Sequence, residues 1–259
     1  MAKYEVKDGG GIIPEWATEI EAGAFSECED LREVVIPQWV RKIGEDAFYE
    51  CRNLKSVELP EWLEEMARDF NHPALVGWCP FNETWDQNGR KQVDEALALV
   101  YQATKAADPT RPCIDTSGNY HVVTDVYDVH DYEQDPAKFA EHFADYNEFG
   151  TMSNGIGKRQ HYSGKEPFFV SEYGGIRWSE DPSGWGYGNA PKTEEEFKAR
   201  FKGLTDILLD NENIFGLCYT QLYDVEQEQN GLYPYDRRPK FENMRDFYDI
   251  MSRKAAIED

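Results

Sequence analysis

Residues 78–85 read WCPFNETW, an apolar run that ends by presenting the pair Asn82 and Glu83. A second run of this kind covers residues 167–175, which read PFFVSEYGG and deliver Glu172 after several apolar residues. Short apolar runs of this length are typical of buried strands in a parallel sheet. If both strands belong to one parallel barrel, both glutamates lie on the face where the strands end.

The two glutamates together suggest glycoside chemistry. Cleavage of an acetal needs one group that protonates the leaving oxygen and a second, ionised group on the opposite side of the reacting carbon. Glu83 and Glu172 could fill these roles, although a single glutamate is more often a solvated surface group. A retaining mechanism would place their carboxyl groups about 5 to 5.5 Å apart.

From about residue 63 onward, apolar runs alternate with amphipathic segments, which predicts an α/β fold with parallel strands. The expected strands cover residues 75–83, 112–116, 126–132, 167–172 and 214–221. A helix is expected over residues 93–107, another after the capping box formed by Thr193 and Glu196, and a last one over residues 241–251. The apolar stripes of these helices are most simply core.

The first 62 residues follow a different pattern, because they repeat with a period of 23 residues. The motif reads IPEW at 13–16, IPQW at 36–39 and LPEW at 59–62. Further pairs one period apart are Ile20 and Ile43, Ala24-Phe25 and Ala47-Phe48, Cys28 and Cys51, Leu31 and Leu54, and Val34 and Val57. Two such units need a further surface to support them, since each buries its apolar residues only by stacking. The segment is either a structural cap or a protein-interaction module.

The region from residue 63 resembles the catalytic barrel of glycoside hydrolase family 2, the clan of β-galactosidases, β-glucuronidases and β-mannosidases. The resemblance rests on NHP at 71–73 before the Asn-Glu pair, DTSG at 115–118, DVHDY at 128–132, SEYGG at 171–175, YTQL at 219–222, DVEQE at 224–228 and YDRRPK at 235–240. The matched region corresponds to strands four to eight of that eight-stranded barrel. The implied α/β fold is a partial TIM barrel over residues 63–259, preceded by a segment, residues 1–62, that resembles the surface-antigen type of leucine-rich repeat.

By this resemblance Glu83 is the general acid/base and Glu172 the nucleophile of a retaining mechanism. Asn82 would hydrogen-bond the sugar 2-hydroxyl, and Tyr132 would lie beside the nucleophile. The remaining expected substrate contacts are His130, Trp178, Trp185, Tyr219 and Gln221. For His130 a structural role is equally open, and the aromatic rings of the loop at residues 176–191 could stack on a sugar or only pack the loop.

The substrate expectation comes from a departure from the family pattern. β-Glucuronidases carry an Asn-x-Lys signature for the sugar carboxylate, whereas the stretch before Gly231 reads Glu228-Gln229-Asn230. A neutral β-glycoside, such as a galactoside, is therefore expected. No cofactor is implied and no metal cluster stands out, although the resemblance is compatible with an accessory Mg²⁺ ion.

Composition limits the partners and the location. A net charge of −23 argues against nucleic acid and against an anionic membrane surface. No apolar run is long enough to cross a bilayer and the first residues lack a signal-peptide core, so a cytoplasmic location is the default expectation. The five cysteines show neither zinc-site spacing nor a disulfide framework.

Three functional readings remain at the level of sequence. The first is a β-galactosidase-like retaining glycosidase, and the second is an inactive barrel remnant that binds carbohydrate or protein. In the third, the repeat segment is a scaffold that meets another protein. Since strands one to three of the barrel have no counterpart, a homodimer through open barrel edges is expected unless the repeat segment covers them. The sequence leaves open which sugar and aglycone are bound, whether the barrel is active and how many copies assemble. It also leaves open whether the junction between repeat and barrel is natural or engineered.

Overall fold

A computed structural model describes residues 4–21, 23–37, 40, 47–48, 51–58, 69–84, 92–118, 120–144, 159–179 and 181–259. The chain divides into two compact units. The first comprises Met1–Thr116 and Val122–Thr124, and the second comprises Ser117–His121 and Asp125–Asp259. The domain boundary expected between residues 62 and 63 lies outside the described residues and stays a prediction.

The first unit contains a four-stranded sheet that displays the sequence repeat directly. Its strands are β1 (Glu5–Lys7), β2 (Gly10–Ile12), β3 (Glu33–Val35) and β4 (Ser56–Glu58), in that order across the sheet. β1 and β2 are antiparallel, whereas β2, β3 and β4 are parallel. Gly10 pairs with Glu33 and Glu33 with Ser56, so each step across the parallel ladder equals one 23-residue period.

The core of this unit is built from the residues that recur in the repeat. Phe25 and Phe48 stand one period apart and stack with ring centroids 5.4 Å apart and an interplanar angle of 9°. The buried residues around them include Ile20, Ala24, Leu31, Val34, Ala47, Cys51 and Leu54. Ile43, the expected counterpart of Ile20, lies outside the described residues. Neighbouring repeats therefore bury their apolar residues against one another, as a solenoid requires.

The first two strands expected for the barrel region are shorter than the sequence pattern indicated. In place of continuous ladders they carry isolated bridges, one of which is the parallel bridge between Trp78 and Cys113. Pro80 and Pro112 have no backbone N–H, so the ladder cannot extend through them as it does through other residues. The helix expected at residues 93–107 is confirmed as α1 (Asp94–Ala107).

The second unit contains a three-stranded parallel sheet with the strand order β5 (Tyr127–Asp131), β6 (Phe168–Gly174) and β7 (Ile214–Thr220). These confirm the strands expected near residues 126–132, 167–172 and 214–221. The helices are α2 (Pro136–His142), α3 (Glu194–Leu209) and α4 (Arg245–Met251), followed by a 3₁₀ turn at Ala256–Glu258. The last helix begins later than expected, at Arg245 rather than residue 241.

Helix α3 begins at the predicted cap. The Thr193 hydroxyl accepts a hydrogen bond from the Glu196 backbone N–H at 3.2 Å. The Glu196 carboxylate accepts from the Lys192 backbone N–H at 2.7 Å, one residue before the position that a full capping box would use. The apolar face of α3 is fully buried against the sheet, with Phe197, Phe201, Leu204 and Leu208 in the core.

The described residues form a mixed α/β structure with two small sheets and no closed barrel. Three strands of the expected five form a continuous parallel sheet, and the other two give isolated bridges such as that between Trp78 and Cys113. Within the described part of the chain, no helix has the length and apolar character needed to cross a membrane.

Candidate active site

Glu172 lies near the C-terminal end of β6, the middle strand of the parallel sheet, with 28% of its side chain exposed. The hydroxyl of Tyr132, one residue beyond β5, donates to Oε2. The hydroxyl of Thr220, the last residue of β7, donates to the same oxygen at 3.1 Å. Nε2 of His130 lies 3.6 Å from Oε1. The strands on either side of β6 thus place two hydroxyl donors and one imidazole around its carboxylate.

A β-bulge sets this geometry. Val129 pairs with Val170, whereas the next residue, His130, pairs with Glu172, so Ser171 is the extra residue of β6. A bulge lets two consecutive side chains be aimed where regular alternation would not send them. Here it aligns Glu172 with His130 and turns the Ser171 hydroxyl to donate to Asp128.

A buried polar cluster centred on Asp128 lies behind His130. The Asp128 carboxylate is fully buried and accepts hydrogen bonds from the Ser117 hydroxyl at 2.8 Å and from the Ser171 hydroxyl. Nε2 of His121 lies 3.2 Å from its other oxygen. Burial by itself would raise the pKa of Asp128, but the hydrogen bonds and charge of His121 together with the two serine hydroxyls lower it overall.

Two glycines after Glu172 make room for the aromatic wall of the site. Gly174 and Gly175 have φ angles of 84° and 61°, in the region that favours glycine. A side chain at Gly174 would collide with the ring of Tyr219, and one at Gly175 with the ring of Tyr187. The Tyr187 ring stacks on Tyr132 with centroids 3.8 Å apart and planes 3° apart, and so holds the ring whose hydroxyl bonds Glu172.

The two tryptophans expected to contact a sugar are in different surroundings. Trp185 is 45% exposed, and its ring meets Tyr187 edge-on at 5.9 Å. Trp178 packs against the core rings of Phe197 at 5.7 Å and Phe241 at 5.6 Å. Of the two, Trp185 has the open ring surface that stacking on a sugar needs, whereas the contacts of Trp178 are those of a packing residue.

Tyr219 and Gln221, also expected to contact substrate, differ in whether their polar atoms have hydrogen-bond partners. Tyr219 is buried, its hydroxyl accepts from the Ile176 backbone N–H at 3.2 Å and donates to the Asn230 carbonyl at 3.5 Å. Burial raises the pKa of Tyr219 far above its usual range. Nε2 of Gln221 is buried and has no hydrogen-bond partner among the described residues. An amide donor without a partner is costly to bury, so it is the better candidate for a ligand contact.

Asn82 and Glu83 belong to the first unit. Asn82 is exposed, and Glu83 has a φ of 50°, an uncommon conformation for a residue other than glycine. The next residue, Thr84, is fixed by hydrogen bonds to Thr116 at 2.9 Å and to Gln92 at 2.8 Å. The distance between the carboxyl groups of Glu83 and Glu172 stays a prediction.

Several residues of the site carried no assigned role in the sequence: Thr220, Ser117, Asp128 and Ser171. Tyr187 was one of the loop rings expected either to stack on a sugar or to pack the loop, and it packs on Tyr132. Thr220 could have been found from its position near the end of a predicted strand, since the neighbouring strands of the sheet end at the same edge. Asp128 gave a weaker signal, because it is a carboxylate in the buried first half of β5. The bulge at Ser171 left no recognisable signal.

Comparison with a family model identifies the repeat. Residues 12–70 match the model described as a BspA type leucine-rich repeat region, in six copies. This agrees with the 23-residue pairing step of β2, β3 and β4. No curated protein sequence matches the chain.

Comparison with solved structures finds a fold shared with part of the glycoside hydrolases of family 2. The β-D-glucuronidase of Dictyoglomus thermophilum superposes with a TM-score of 0.53 at 17% identity, covering 87% of this chain and 45% of that one. The Eisenbergiella tayi family 2 β-galacturonidase bound to galacturonate gives 0.53 at 15% identity, covering 87% and 46%. The Bifidobacterium dentium β-glucuronidase complexed with coumarin-3-O-glucuronide gives 0.52 at 16%, covering 78% and 38%. This chain therefore spans less than half the length of each.

Proposed function

We propose that the chain is a retaining glycoside hydrolase that acts on neutral β-glycosides in the manner of a β-galactosidase. The observation that carries the proposal is the setting of Glu172. Its Oε2 accepts from Tyr132 and Thr220, while its Oε1 faces His130 at the open edge of the sheet. A nucleophilic carboxylate must be held in one orientation, and the two hydroxyl hydrogen bonds hold it.

In the proposed mechanism Glu172 attacks the anomeric carbon and forms a covalent glycosyl-enzyme intermediate. Glu83 protonates the leaving oxygen and then activates the water that releases the sugar. Asn82 hydrogen-bonds the 2-hydroxyl, where contacts strengthen in the transition state. Gln221, with its unpartnered buried amide, and Trp185, with its exposed ring, contribute to sugar binding.

We further propose that residues 63–259 form part of a TIM barrel, equivalent to strands four to eight, after the repeat segment at 1–62. The parallel order of β5, β6 and β7 and the likeness to family 2 structures support this arrangement. In such a barrel, side chains at the C-terminal ends of the strands form the active site. The contacts of Tyr132 and Thr220 with Glu172, at this end of the described sheet, support the proposal.

The preference for a neutral sugar is argued from charge. Asn230 is fully buried and its amide donates to the Glu228 carboxylate at 3.1 Å. Lys240 donates to the Gly231 carbonyl at 3.0 Å, but its ammonium is paired with Asp224 at 2.7 Å. A uronate would therefore meet an added acidic group and a lysine that is already neutralised, so a sugar without a carboxylate is the better substrate.

The first test measures nitrophenol release from aryl β-galactoside, β-glucoside, β-mannoside, β-glucuronide and β-galacturonide. We expect turnover of a neutral glycoside by the wild type and loss of turnover in Glu172→Gln. Glu166→Gln is a matched control, because Glu166 lies just before the opposite end of β6 and bonds Ser163. A folded wild type without turnover would overturn the proposal, and preferred cleavage of a uronide would overturn its substrate class.

A second test separates the two glutamates. A 2-deoxy-2-fluoro glycoside with a good leaving group should add one glycosyl mass to the peptide that contains Glu172. Glu83→Gln should lose most activity on substrates with poor leaving groups, which need the acid. On an activated aryl glycoside its turnover should rise in azide, since the anion attacks the glycosyl-enzyme without needing a base, frees Glu172 and leaves as the glycosyl azide. Labelling of any other peptide would contradict the assignment of the nucleophile.

The mechanism requires no cofactor, because two carboxylates suffice for both steps. We expect turnover to be unchanged by dialysis against EDTA. Loss of turnover that Mg²⁺ restores would instead reveal an accessory ion.

The alternative is an inactive barrel remnant that binds carbohydrate or protein. It is favoured by the three-stranded sheet of the described residues and by the partial coverage of the related structures. This reading predicts affinity for a β-glycoside without turnover, unchanged in Glu172→Gln and reduced in Trp185→Ala. Calorimetry on the same proteins distinguishes it from the enzyme.

Two partners are proposed besides the sugar. A second copy of the chain could pair through the edge strands of the described sheet, β5 and β7, which sedimentation velocity would detect as a dimer. The repeat segment, supported by its family model, could bind another protein, and removal of residues 11–62 would then abolish that binding.

A further inference from the structure

The position of one proton beside the nucleophile depends on residues that do not touch it. His130 presents Nε2 to two neighbours, Oγ of Ser117 at 3.0 Å and Oε1 of Glu172 at 3.6 Å. If Nε2 carries the proton, the ring presents a donor to the carboxylate. If the proton is on the other ring nitrogen, a lone pair faces the carboxylate, and the two repel.

Ser117 determines which of these occurs. Its hydroxyl has a single proton and lies 2.8 Å from Oδ2 of Asp128. An ionised carboxylate can only accept hydrogen bonds, so the proton of Ser117 points toward Asp128 and its oxygen presents a lone pair to His130. Donation from Ser117 to Nε2 would instead leave two oxygens 2.8 Å apart with no proton between them.

Asp128 is held as an anion by its other contacts. Its carboxylate accepts from the Gly118 backbone N–H at 2.9 Å and from the Ser171 hydroxyl, and Nε2 of His121 lies 3.2 Å away. The buried charge is stabilised by these donors, all of which go to Oδ2, and by the nearby His121, while Oδ1 has no hydrogen-bond partner among the described residues. The bulge that aligns Glu172 with His130 also supplies Ser171 to this cluster.

We propose that Asp128 is a positioning residue for the nucleophile: by accepting from Ser117 it keeps the proton of His130 on Nε2, so that the ring nitrogen nearest Oε1 of Glu172 carries a proton rather than a lone pair. This inference rests on the proposed function for its effect on turnover, but not for the proton position itself. None of the described hydrogen bonds of Asp128 joins it to Glu172. It acts through two other side chains, and its substitution leaves the nucleophile chemically intact.

The direct test is the tautomer of His130, read from the ¹⁵N shifts of the imidazole nitrogens in histidine-labelled full-length protein. His130→Asn assigns the signals. We expect the Nε2–H form in the wild type, and a mixed or Nδ1–H form in Asp128→Asn and in Ser117→Ala. Asp131→Asn is the matched control, because Asp131 lies on the same strand and bonds a different histidine, His142, at 2.6 Å. It should leave the His130 signals unchanged.

Kinetics of the same variants give the second readout. Asp128→Asn and Ser117→Ala should lower kcat by about 10- to 100-fold with little change in KM, a range typical of residues that orient those in direct contact. Asp131→Asn should retain wild-type kcat at a temperature where it is folded.

The outcomes separate the two proposals. A wild type without turnover but with the expected tautomer shifts removes the proposed function and keeps the proton position. Nδ1–H in the wild type overturns the inference, as does an unchanged tautomer in both variants or a shifted tautomer with unchanged kcat in an active enzyme. If Asp128→Asn does not fold, Ser117→Ala decides, since it leaves the contacts of Asp128 with Ser171 and His121 in place.

Discussion

At the scale of single residues, the two oxygens of Glu172 have different surroundings. Oε2 accepts two hydroxyl hydrogen bonds, from Tyr132 and Thr220, whereas Oε1 faces only the ring of His130 among its described contacts. The expectation that Tyr132 lies beside Glu172 came from the resemblance to glycoside hydrolase family 2. The sequence could not predict the Asp128 cluster, since the pairing shift between β5 and β6 depends on tertiary contacts rather than on alternation.

The first prediction concerns the donors to Oε2. Tyr132→Phe removes a hydrogen bond to a charged group while keeping the ring that stacks on Tyr187, so kcat should fall by about 10- to 100-fold. Thr220→Val should give a fall in the same direction. Steady-state kinetics on an aryl glycoside would measure both, with the exposed Tyr235→Phe as control. Equal kcat for Tyr132→Phe and Tyr235→Phe would contradict the role of this hydroxyl.

A second residue-scale prediction concerns Cys51 in the repeat. Burial raises the pKa of Cys51 to about 11, and its thiol donates to the Phe25 carbonyl at 2.9 Å. An unfolded thiol ionises near pH 8.5. The folded state therefore holds a proton that the unfolded state releases, and this contribution to stability is complete below about pH 8.5 and is lost as pH rises through 11.

Urea unfolding as a function of pH would measure the effect. The free energy of unfolding of the wild type should fall relative to Cys51→Ala between about pH 8.5 and 11. Cys79→Ala, at an exposed position, should keep the wild-type slope. Parallel curves for the wild type and Cys51→Ala would rule out the predicted linkage.

At the scale of elements, the sequence predicted helices and strands best where the spacing of apolar residues agreed with the residues that begin or end an element. α1 and α3 and the strands β5, β6 and β7 fall close to their predicted positions. The run ending at Glu83 does not form the long strand that its apolar residues predicted. Prolines interrupt both this run and its partner, and a count of apolar residues does not register the hydrogen-bond donors that prolines lack. The roles of Gly174 and Gly175 required the rings that lie over them.

The turn after β6 allows a matched test of those rings. Gly174 and Gly164 both have positive φ, 84° and 76°, but a side chain at Gly174 meets the Tyr219 ring, whereas one at Gly164 meets nothing within 4 Å. Gly164→Ala should cost about 1 to 2 kcal/mol from backbone conformation alone. Gly174→Ala should cost about 2 to 5 kcal/mol because overpacking adds to it. Chemical denaturation would compare them, and equal costs would show that Tyr219 yields without penalty.

At the scale of the whole molecule, composition predicted the acidic character but not the division into units. The contact boundary lies around residues 117–124, where the chain crosses between units more than once. The repeat family model matches residues 12–70, and the expected seam near residue 62 stays a prediction. The 23-residue repeat was the one long-range feature readable from sequence, since it recurs in register.

The net charge of −23 leads to a prediction for the molecule as a whole. Self-repulsion of this size destabilises the compact state, and salt screens it. The Tm should rise by several degrees between about 20 mM and about 500 mM NaCl. Sucrose at matched osmolarity controls for exclusion of solutes from the surface. A Tm that falls with salt would mean that attractive ion pairs outweigh the net repulsion.

The step of the first sheet also governs how its length can change. β2, β3 and β4 pair at a constant offset of 23 residues, and Phe25 and Phe48 stack at the same offset, so each repeat forms one rung that places matching sequence positions beside those of the next. Duplication or loss of one whole period adds or removes a rung and leaves the remaining register intact. An insertion of any other length within a rung shifts buried positions onto exposed ones. The length of this part of the chain should therefore change by whole repeats, and its natural variants should differ by multiples of one rung.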